Sequence, residues 1–411
     1  MDFRDRVKNF IRSKWGDICR RSHYVMMAIP FIILVASIVL GTASVIRINQ
    51  VLDGQRFQYS AEYFGSKKMH YRYLSVIGGG SMQDDGSAPR VLSEGLTVEK
   101  VGQIHDALKL VEESTVSNKG KKGSTKKEIT NLWEDCYSSM ANYPAKGIID
   151  KVEQGSIGSC EIMGVSGAYS IVHPFSYESG GFLPGEDGDR YAIVLNTQLA
   201  WSLFHSYNVL GALVEINGTQ YQVVGVVNEG NDAIAEATGV TNPRAYIAFN
   251  QLAHLANNSE LAFNSEDVEN SVKPEDLAVL SYEVLLTDPI NNIAYNDLNK
   301  ALQETIGYSA ETAKIQVINN TGRFGAYRLY KKYFPLKKSV EVFDGVPVPF
   351  YERSARLAEQ YVLFWAEALI VSGIALIASL CNVYAIFHGR HTKHAIVEED
   401  DEEMELDIRR V

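Results

Sequence analysis

Cysteine is scarce in this chain, with four in 411 residues, and none has the spacing of a zinc-ligand set. Catalytic signatures are missing too. There is no G-x-x-x-x-G-K-[ST] loop, no G-x-S-x-G, no H-E-x-x-H and no Rossmann glycine pattern. The run NKGKKGSTKK, Asn118–Lys127, has the composition of a phosphate loop without its residue order or a leading strand, and reads as a solvated surface loop. Basic charge is in deficit: 39 Lys and Arg stand against 50 Asp and Glu, a net charge of −11. A nucleic-acid binder would carry a basic face, so no nucleic-acid partner is expected. The expectation is a chain with no enzymatic activity, no cofactor and no bound metal.

What the sequence does have is two apolar runs. Tyr24–Ile46 contains no charged residue and Tyr361–Phe387 contains one, Glu367. Each exceeds the roughly 20 residues that a spanning helix needs. The first is too long for a signal-peptide core and no small-residue cleavage site follows before Arg47, so it reads as a retained anchor. Arg4, Arg6, Lys8, Arg12, Lys14, Arg20 and Arg21 precede the first run, and Arg390 and Lys393 follow the second. Positive charge stays on the cytoplasmic side, which predicts both termini inside and the long middle section outside. The expected organisation is a cytoplasmic amphipathic helix over 1–23, spans over 24–46 and 361–388, an extracytoplasmic domain over 47–360 and an acidic cytoplasmic tail over 389–411. His388, His391 and His394 sit among Arg and Lys at a membrane exit and read as part of a cationic anchor. Cys136 and Cys160 are the only cysteines in the outer section. They are either a disulfide or two buried thiols.

Phe3, Val7, Phe10, Ile11 and Trp15 share one face of a helix with Arg and Lys opposite, the pattern of a helix lying on an anionic membrane or on a protein partner. Ser37 and Gly41 in the first span, and Ala368, Ser372, Ala375 and Ser379 in the second, form small-residue stripes. Small residues let helix backbones approach closely in lipid, so these stripes predict helix partners, each other or another subunit. In the outer section, helices are expected at 98–113 with Thr97 as cap, 129–140 (Ile129, Leu132, Trp133, Cys136, Met140), 197–204, and 293–306 closing on Gly307. Strands are expected at 160–165, 191–195, 280–286 and 314–318, the last pair forming half of a split βαβ unit around the 293–306 helix. Asn217-Gly218 is the preferred pair for a type I′ turn, joining Leu213–Ile216 to Thr219–Val227. Gly225 marks a bulge or a close backbone approach. The basic, aromatic segment 323–352 is expected to stay extended at the membrane surface, and 352–360 to start a helix running into the second span.

The run YAIVLNTQLAWSLFHSYNVLGALVEINGTQYQVVGVVNE, Tyr191–Glu229, resembles the outer core domain of MacB/FtsX-type ABC transporter permeases. The family's order is a short strand, a helix ending near Phe, a Gly opening a hairpin and a V-V-G-V strand. Here these are Tyr191–Leu195, Leu203-Phe204, Gly211 and Val223–Val226. EIMGVSGAYS (Glu161–Ser170), GGFLPGEDGDR (Gly180–Arg190) and AYIAF (Ala245–Phe249) also fit the family. The resemblance implies an α+β extracytoplasmic domain between two transmembrane helices, with a porter-like α/β part and an inserted β-rich part over about 156–279. It implies a non-catalytic membrane subunit that couples a separate ABC ATPase to that domain, for export or mechanical signalling. The family has four spans where two are found here, so a second permease subunit is the expected source of the others. The alternative is a two-span extracellular sensor or binding protein that recruits a cytoplasmic partner.

Overall fold

The computed structural model describes residues 3–65, 70–78, 80–81, 90–91, 95–119, 133–185, 189–257, 273–290, 292–309, 315–333 and 348–408. Two compact units emerge. One gathers the residues up to Val51 with those from Tyr361 onward, and the other, the core unit, is Leu52–Gln360. In chain order, α1 (Phe3–Asp53) is followed by a 3-10 turn at Arg56–Tyr59, α2 (Ser60–Phe64), β1 (Tyr71–Gly78), β2 (Gly80–Ser81), β3 (Arg90–Val91) and α3 (Val98–Lys119). Then come β4 (Glu134–Ile149), β5 (Val152–Gly167), α4 (Tyr169–Val172), β6 (Ser176–Gly180), β7 (Ala192–Asn196), α5 (Thr197–Phe204), β8 (Leu213–Ile216), β9 (Thr219–Asn228), α6 (Ala233–Thr238), β10 (Arg244–Ala248) and α7 (Phe249–Asn257). The last elements are β11 (Ser281–Thr287), α8 (Ile293–Ile306), β12 (Ile315–Asn319), α9 (Ala326–Tyr333) and α10 (Phe350–Ile408).

Local chemistry accounts for many of these boundaries. Thr97 Oγ1 accepts from the Lys100 amide at 3.1 Å and starts α3. Asn196 Oδ1 accepts from Leu199 N at 2.9 Å and starts α5, satisfying an amide that has no partner within the helix. Gly307, at φ 65°, ends α8. Asn217 and Gly218 both have positive φ, 46° and 79°, as a type I′ turn demands, and Asn217 Nδ2 donates to Leu255 O at 2.7 Å.

Ten strands form one large sheet in the order β12-β1-β11-β4-β5-β10-β7-β9-β6, with β8 bridging β4 and β9, and β2 and β3 pair separately. That bridge closes β4-β5-β10-β7-β9-β8 into a ring, so the β-rich part is a small six-stranded barrel. The rest is the porter-like part. β11 and β12 both run antiparallel to β1, which lies between them, and α8 connects them, which is the split βαβ arrangement. β4 belongs to both parts: Glu134–Ser138 pair with β11 and Ala145–Ile148 with β8. One apolar cluster, including Leu74, Ile104, Leu199, Leu252, Val284 and Leu298, packs the helices against the sheet. A second, including Tyr73, Cys136, Tyr169, Val194 and Tyr246, takes alternate residues of the same strands.

Two expectations from the sequence are corrected. The described part of the 129–140 segment is not helical, since β4 starts at Glu134. Its apolar residues happen to recur at helical spacing, but the long hairpin with β5 and the pairing with β11 satisfy its backbone as strand. The 323–352 segment is not wholly extended either. Residues 326–333 form α9, burying Leu329 and Tyr333 one turn apart; residues 334–347 lie outside the described set.

Cys136 and Cys160 are separate thiols. Cys160 pairs with Tyr143, seven residues along β4 from Cys136. At ~3.3 Å per residue that is about 23 Å, far beyond disulfide reach. Burial pushes the Cys160 thiol up to about 12.

Gly225 sits where β7 and β9 shift register between Ile193 and Val194, and a Cβ there would collide with the carbonyl oxygen of Gly181. Gly225→Ala must move backbone, so it is expected to destabilise the core by about 1–3 kcal/mol. A urea titration of the purified protein measures this, and an unchanged midpoint contradicts the packing described.

Candidate functional site

The first turns of α10, Phe350–Gln360, belong to the core unit, and the polypeptide continues from them into the apolar run that begins at Tyr361. Successive side chains of this root meet different partners in the core unit. Phe350 lies under the Arg244 guanidinium, with Cζ 3.6 Å from the ring centroid. The Tyr351 hydroxyl donates to Glu283 Oε1. Glu352 accepts from Arg323, and Arg353 lies 3.8 Å from Glu161. Ser354 accepts from Gln55 Nε2 at 2.9 Å.

Arg323 is the hub nearest the span. Its guanidinium is buried and makes 2.7 Å contacts to Glu359 Oε1 and Glu352 Oε2, 3.1 Å to Glu352 Oε1, 3.1 Å to Gln58 Oε1 and 3.0 Å to Asn320 Oδ1. Glu352 also accepts from Arg356 Nε at 2.7 Å, one turn on. Glu359 accepts from Lys332 Nζ at 2.6 Å and from the Tyr333 hydroxyl. Gln55 and Gln58 follow α1 directly, so segments just past the first apolar helix and just before the second are bound together within the core unit. Planar forked pairing of this kind fixes orientation as well as distance.

The second hub is Arg244. Its Nε and Nη2 hold Glu161 Oε2 at 2.9 and 2.6 Å, and its Nη1 holds Glu229 Oε2 at 2.5 Å. Asn196 ties the pair to the barrel, donating to Glu229 at 3.0 Å and to the Asn242 carbonyl at 2.7 Å. In the third cluster Glu283 accepts from the hydroxyls of Tyr73, Tyr351 and Ser281, and His173 Nε2 lies 2.9 Å from it. The His173 ring is packed between Tyr169 and Tyr351, with centroids 4.4 and 4.6 Å away. Cys136, His173 and Glu283 place potential metal ligands within 4.8 Å of one another. However, Glu283 is already engaged by three hydroxyls, and burial holds the Cys136 thiol protonated, whereas a metal needs the thiolate. The Glu283 carboxylate is thus saturated by hydroxyls, whereas His173 Nε2, 2.9 Å away, is buried without an aligned hydrogen bond.

Charge sharing sets the titration of the carboxylates. Burial raises Glu359, but the charges of Arg323 and Lys332 outweigh it and leave the group below the ordinary value of 4.5. Glu161 is lowered in the same way, burial being overcome by Arg244, and Glu283 by its contact with His173 and the hydroxyls. Glu229 is raised, because burial dominates and Arg244 is shared with Glu161. A depressed folded value stabilises the fold above the unfolded value and loses that effect as pH falls through the folded one. The three lowered groups therefore predict a core that weakens as pH drops below 4.5, while the raised Glu229 acts in the opposite sense, above 4.5. Thermal melts at a series of pH values below 4.5 measure this, and a melting temperature that rises as pH falls through that range contradicts it.

The residues singled out by sequence lie elsewhere. Phe3, Val7, Phe10, Ile11 and Trp15 are on the helical backbone of α1, with side chains outside the described set. In the unit that joins the two apolar helices, Ser37, Ser44, Ser372 and Ser379 are buried, and Ala368 and Ala375 are half-buried. A Cβ on Gly41 would lie 3.2 Å from Ser372 Oγ, and Ser379 Oγ donates to the Pro30 carbonyl. Two stretches, Ala28–Asp53 and Phe350–Ala385, are long and apolar enough to cross a membrane, with mean hydropathy 2.5 and 2.0. Their outer faces expose Phe31, Val39, Ile370 and Ile374. Asn217 and Gly218 form only the turn. The side chains of His388, His391 and His394, like those of the acidic tail, are outside the described set, although the α10 backbone is helical to Ile408. Arg323, Arg244 and their partners have no motif. A readable signal was present in Glu352, Arg356 and Glu359, which fall on one helix face immediately before an apolar run.

A mixed helix–sheet core flanked by two helices long and apolar enough to cross a membrane is the class that the fold defines. The profile of the MacB-like periplasmic core domain matches residues 31–294, and the chain belongs to that family. Among solved structures it is similar to the periplasmic region of MacB from Actinobacillus actinomycetemcomitans, at 15% identity over 61% of this chain and 89% of that one, with a TM-score of 0.37. It is also similar to the extracellular domain of the noncanonic ABC-type transporter YknZ from Gram-positive bacteria, at 15% identity over 60% and 100% of the two chains, with a TM-score of 0.34. No curated protein matches the chain.

Proposed function

We propose that this chain is a non-catalytic membrane subunit of a MacB-like ABC complex. In this reading residues 24–46 and 361–388 cross the bilayer, both termini are cytoplasmic and residues 47–360 lie outside. A separate ABC ATPase binds at the cytoplasmic ends, and a second permease subunit contributes further spans. Nucleotide-driven movement of the ATPase shifts the spans, and the outer domain carries the shift as a rigid body, for export or transmembrane signalling.

The observation that supports this reading is the root of α10. Five consecutive residues, Phe350–Ser354, are each held by a different partner in the core unit, and Arg323 adds Gln58 from the segment after α1. A root locked this way does not swivel independently of the core, so displacement of the helix becomes displacement of the domain. Affinity purification of the full chain from its native membranes, tagged at either terminus, tests the assignment. Recovery of an ABC ATPase is expected; recovery of a kinase or scaffold without an ATPase overturns it.

A further inference from the structure

The helix α9 has a face that the coupling role does not use. Leu329 and Tyr333 are buried, while Ala326, Tyr327, Arg328, Tyr330, Lys331 and Lys332 are exposed, with Tyr327 77% and Tyr330 54% accessible. The sequence from Asn320 to Val340 contains no Asp or Glu, in a chain whose net charge is −11. Apart from Ala326, the outward face of α9 is therefore tyrosine and cation, with no acidic residue. Arg328 also donates to the Thr321 carbonyl, which leaves its charge at the surface.

The height of this face is set by Glu359. Lys332 Nζ holds Glu359 at 2.6 Å, and the Tyr333 hydroxyl donates to the same oxygen. Glu359 is two residues before Tyr361, where the apolar run starts. At ~1.5 Å per residue that is about 3 Å along the helix. The headgroup layer on each side of a bilayer is about 5–7 Å thick. A helix gripping Glu359 thus lies at the depth of the lipid phosphates when α10 spans. Tyrosine is enriched at that depth because its ring is apolar and its hydroxyl is wet, and exposed Lys and Arg are attracted to anionic lipid there.

We propose that α9 is an interfacial helix that binds phosphate-bearing lipid headgroups of the outer leaflet through Arg328 and Lys331, with Tyr327 and Tyr330 seated between the lipids. It gives the core unit a footing on the bilayer beside the root of α10. This inference rests on the membrane placement under Proposed function but not on the ATPase partner.

The test uses the full chain in nanodiscs of phosphatidylcholine with phosphatidylglycerol, and a nitroxide at one of three sites, Ala326→Cys, Glu153→Cys or Ile370→Cys, with Cys19 and Cys381 replaced by Ser. Power-saturation EPR compares access to oxygen and to a water-soluble nickel chelate. Nickel access at residue 326 is expected to be several-fold below that at the exposed residue 153, and to rise toward it when Arg328→Glu and Lys331→Glu are added. Equal nickel access at 326 and 153, with residue 370 in lipid, overturns the inference and leaves the spanning reading intact. Nickel access at residue 370 overturns both. If phosphatidylglycerol makes no difference and the charge reversals change nothing, headgroup recognition is overturned.

Discussion

Arg323→Ala is expected to destabilise the core unit by about 3–5 kcal/mol, the usual result of removing one partner from a buried ion pair. The substitution leaves Glu352 and Glu359, both almost fully buried, with Arg356 and Lys332 as the remaining cations among the described residues. It also takes the guanidinium donor away from the side-chain oxygens of Gln58 and Asn320. Arg323→Lys keeps the charge but cannot span Glu352, Glu359 and Gln58 at once, so it is expected to fall between the wild type and Ala. Lys332→Ala is the control. Its side chain is 50% exposed, and such a partner contributes only about 0–1 kcal/mol. Denaturant unfolding of the detergent-solubilised chain ranks the three. A loss for Arg323→Ala no larger than for Lys332→Ala contradicts the hub.

Arg244→Ala should produce an effect of the same order, about 3–5 kcal/mol, by a different route. Here the guanidinium is wholly buried and joins β10 to β5 through Glu161 and to the end of β9 through Glu229. It also caps the carbonyl of Gly239 at 2.8 Å, and its flat face covers Phe350. Losing it takes the buried cation away from two carboxylates and uncovers an aromatic ring. The predicted signature is therefore double: lower stability, and looser packing of the α10 root. Hydrogen exchange reads the second part. Amides of the first turns of α10 are expected to lose protection in Arg244→Ala, though the substitution lies more than a hundred residues earlier in sequence. Retained protection at Phe350–Ser354 contradicts the link between the barrel and the root.

The sequence made some of this legible because certain signals are local. The Asn217-Gly218 turn, the Asn196-capped helix α5 and the glycine at the end of α8 depend on a few neighbouring residues, and each lies within a residue or so of its expected place. The α+β class was likewise visible, through the 191–229 run and the strand–helix–strand at 280–318. What failed was non-local. β4 is covered on both faces, by helices on one side and by the tyrosine-rich cluster on the other, so it lacks the clean alternation of a half-exposed strand and its apolar residues fell at helical spacing. α9 was hidden by the prolines and loop composition that follow it. The barrel closure by β8 could not be read at all, since it depends on β4 pairing two partners along its length. The hubs were invisible for the same reason. Glu161 is 83 residues from Arg244, and Gln58 is 265 from Arg323, so only folding brings them together.

The central claim is that a core domain outside the cytoplasm is fastened to two bilayer-crossing helices. Membrane-impermeant maleimide labelling of intact cells tests it most directly. Cys136 and Cys160 are buried and stay silent, so single cysteines introduced at exposed Glu153 and at Lys8, with Cys19 and Cys381 replaced by Ser, report the two sides. The account predicts labelling of Glu153→Cys in intact cells, and of Lys8→Cys only after the membrane is permeabilised. Labelling of Lys8→Cys in intact cells, or protection of Glu153→Cys until permeabilisation, would contradict it.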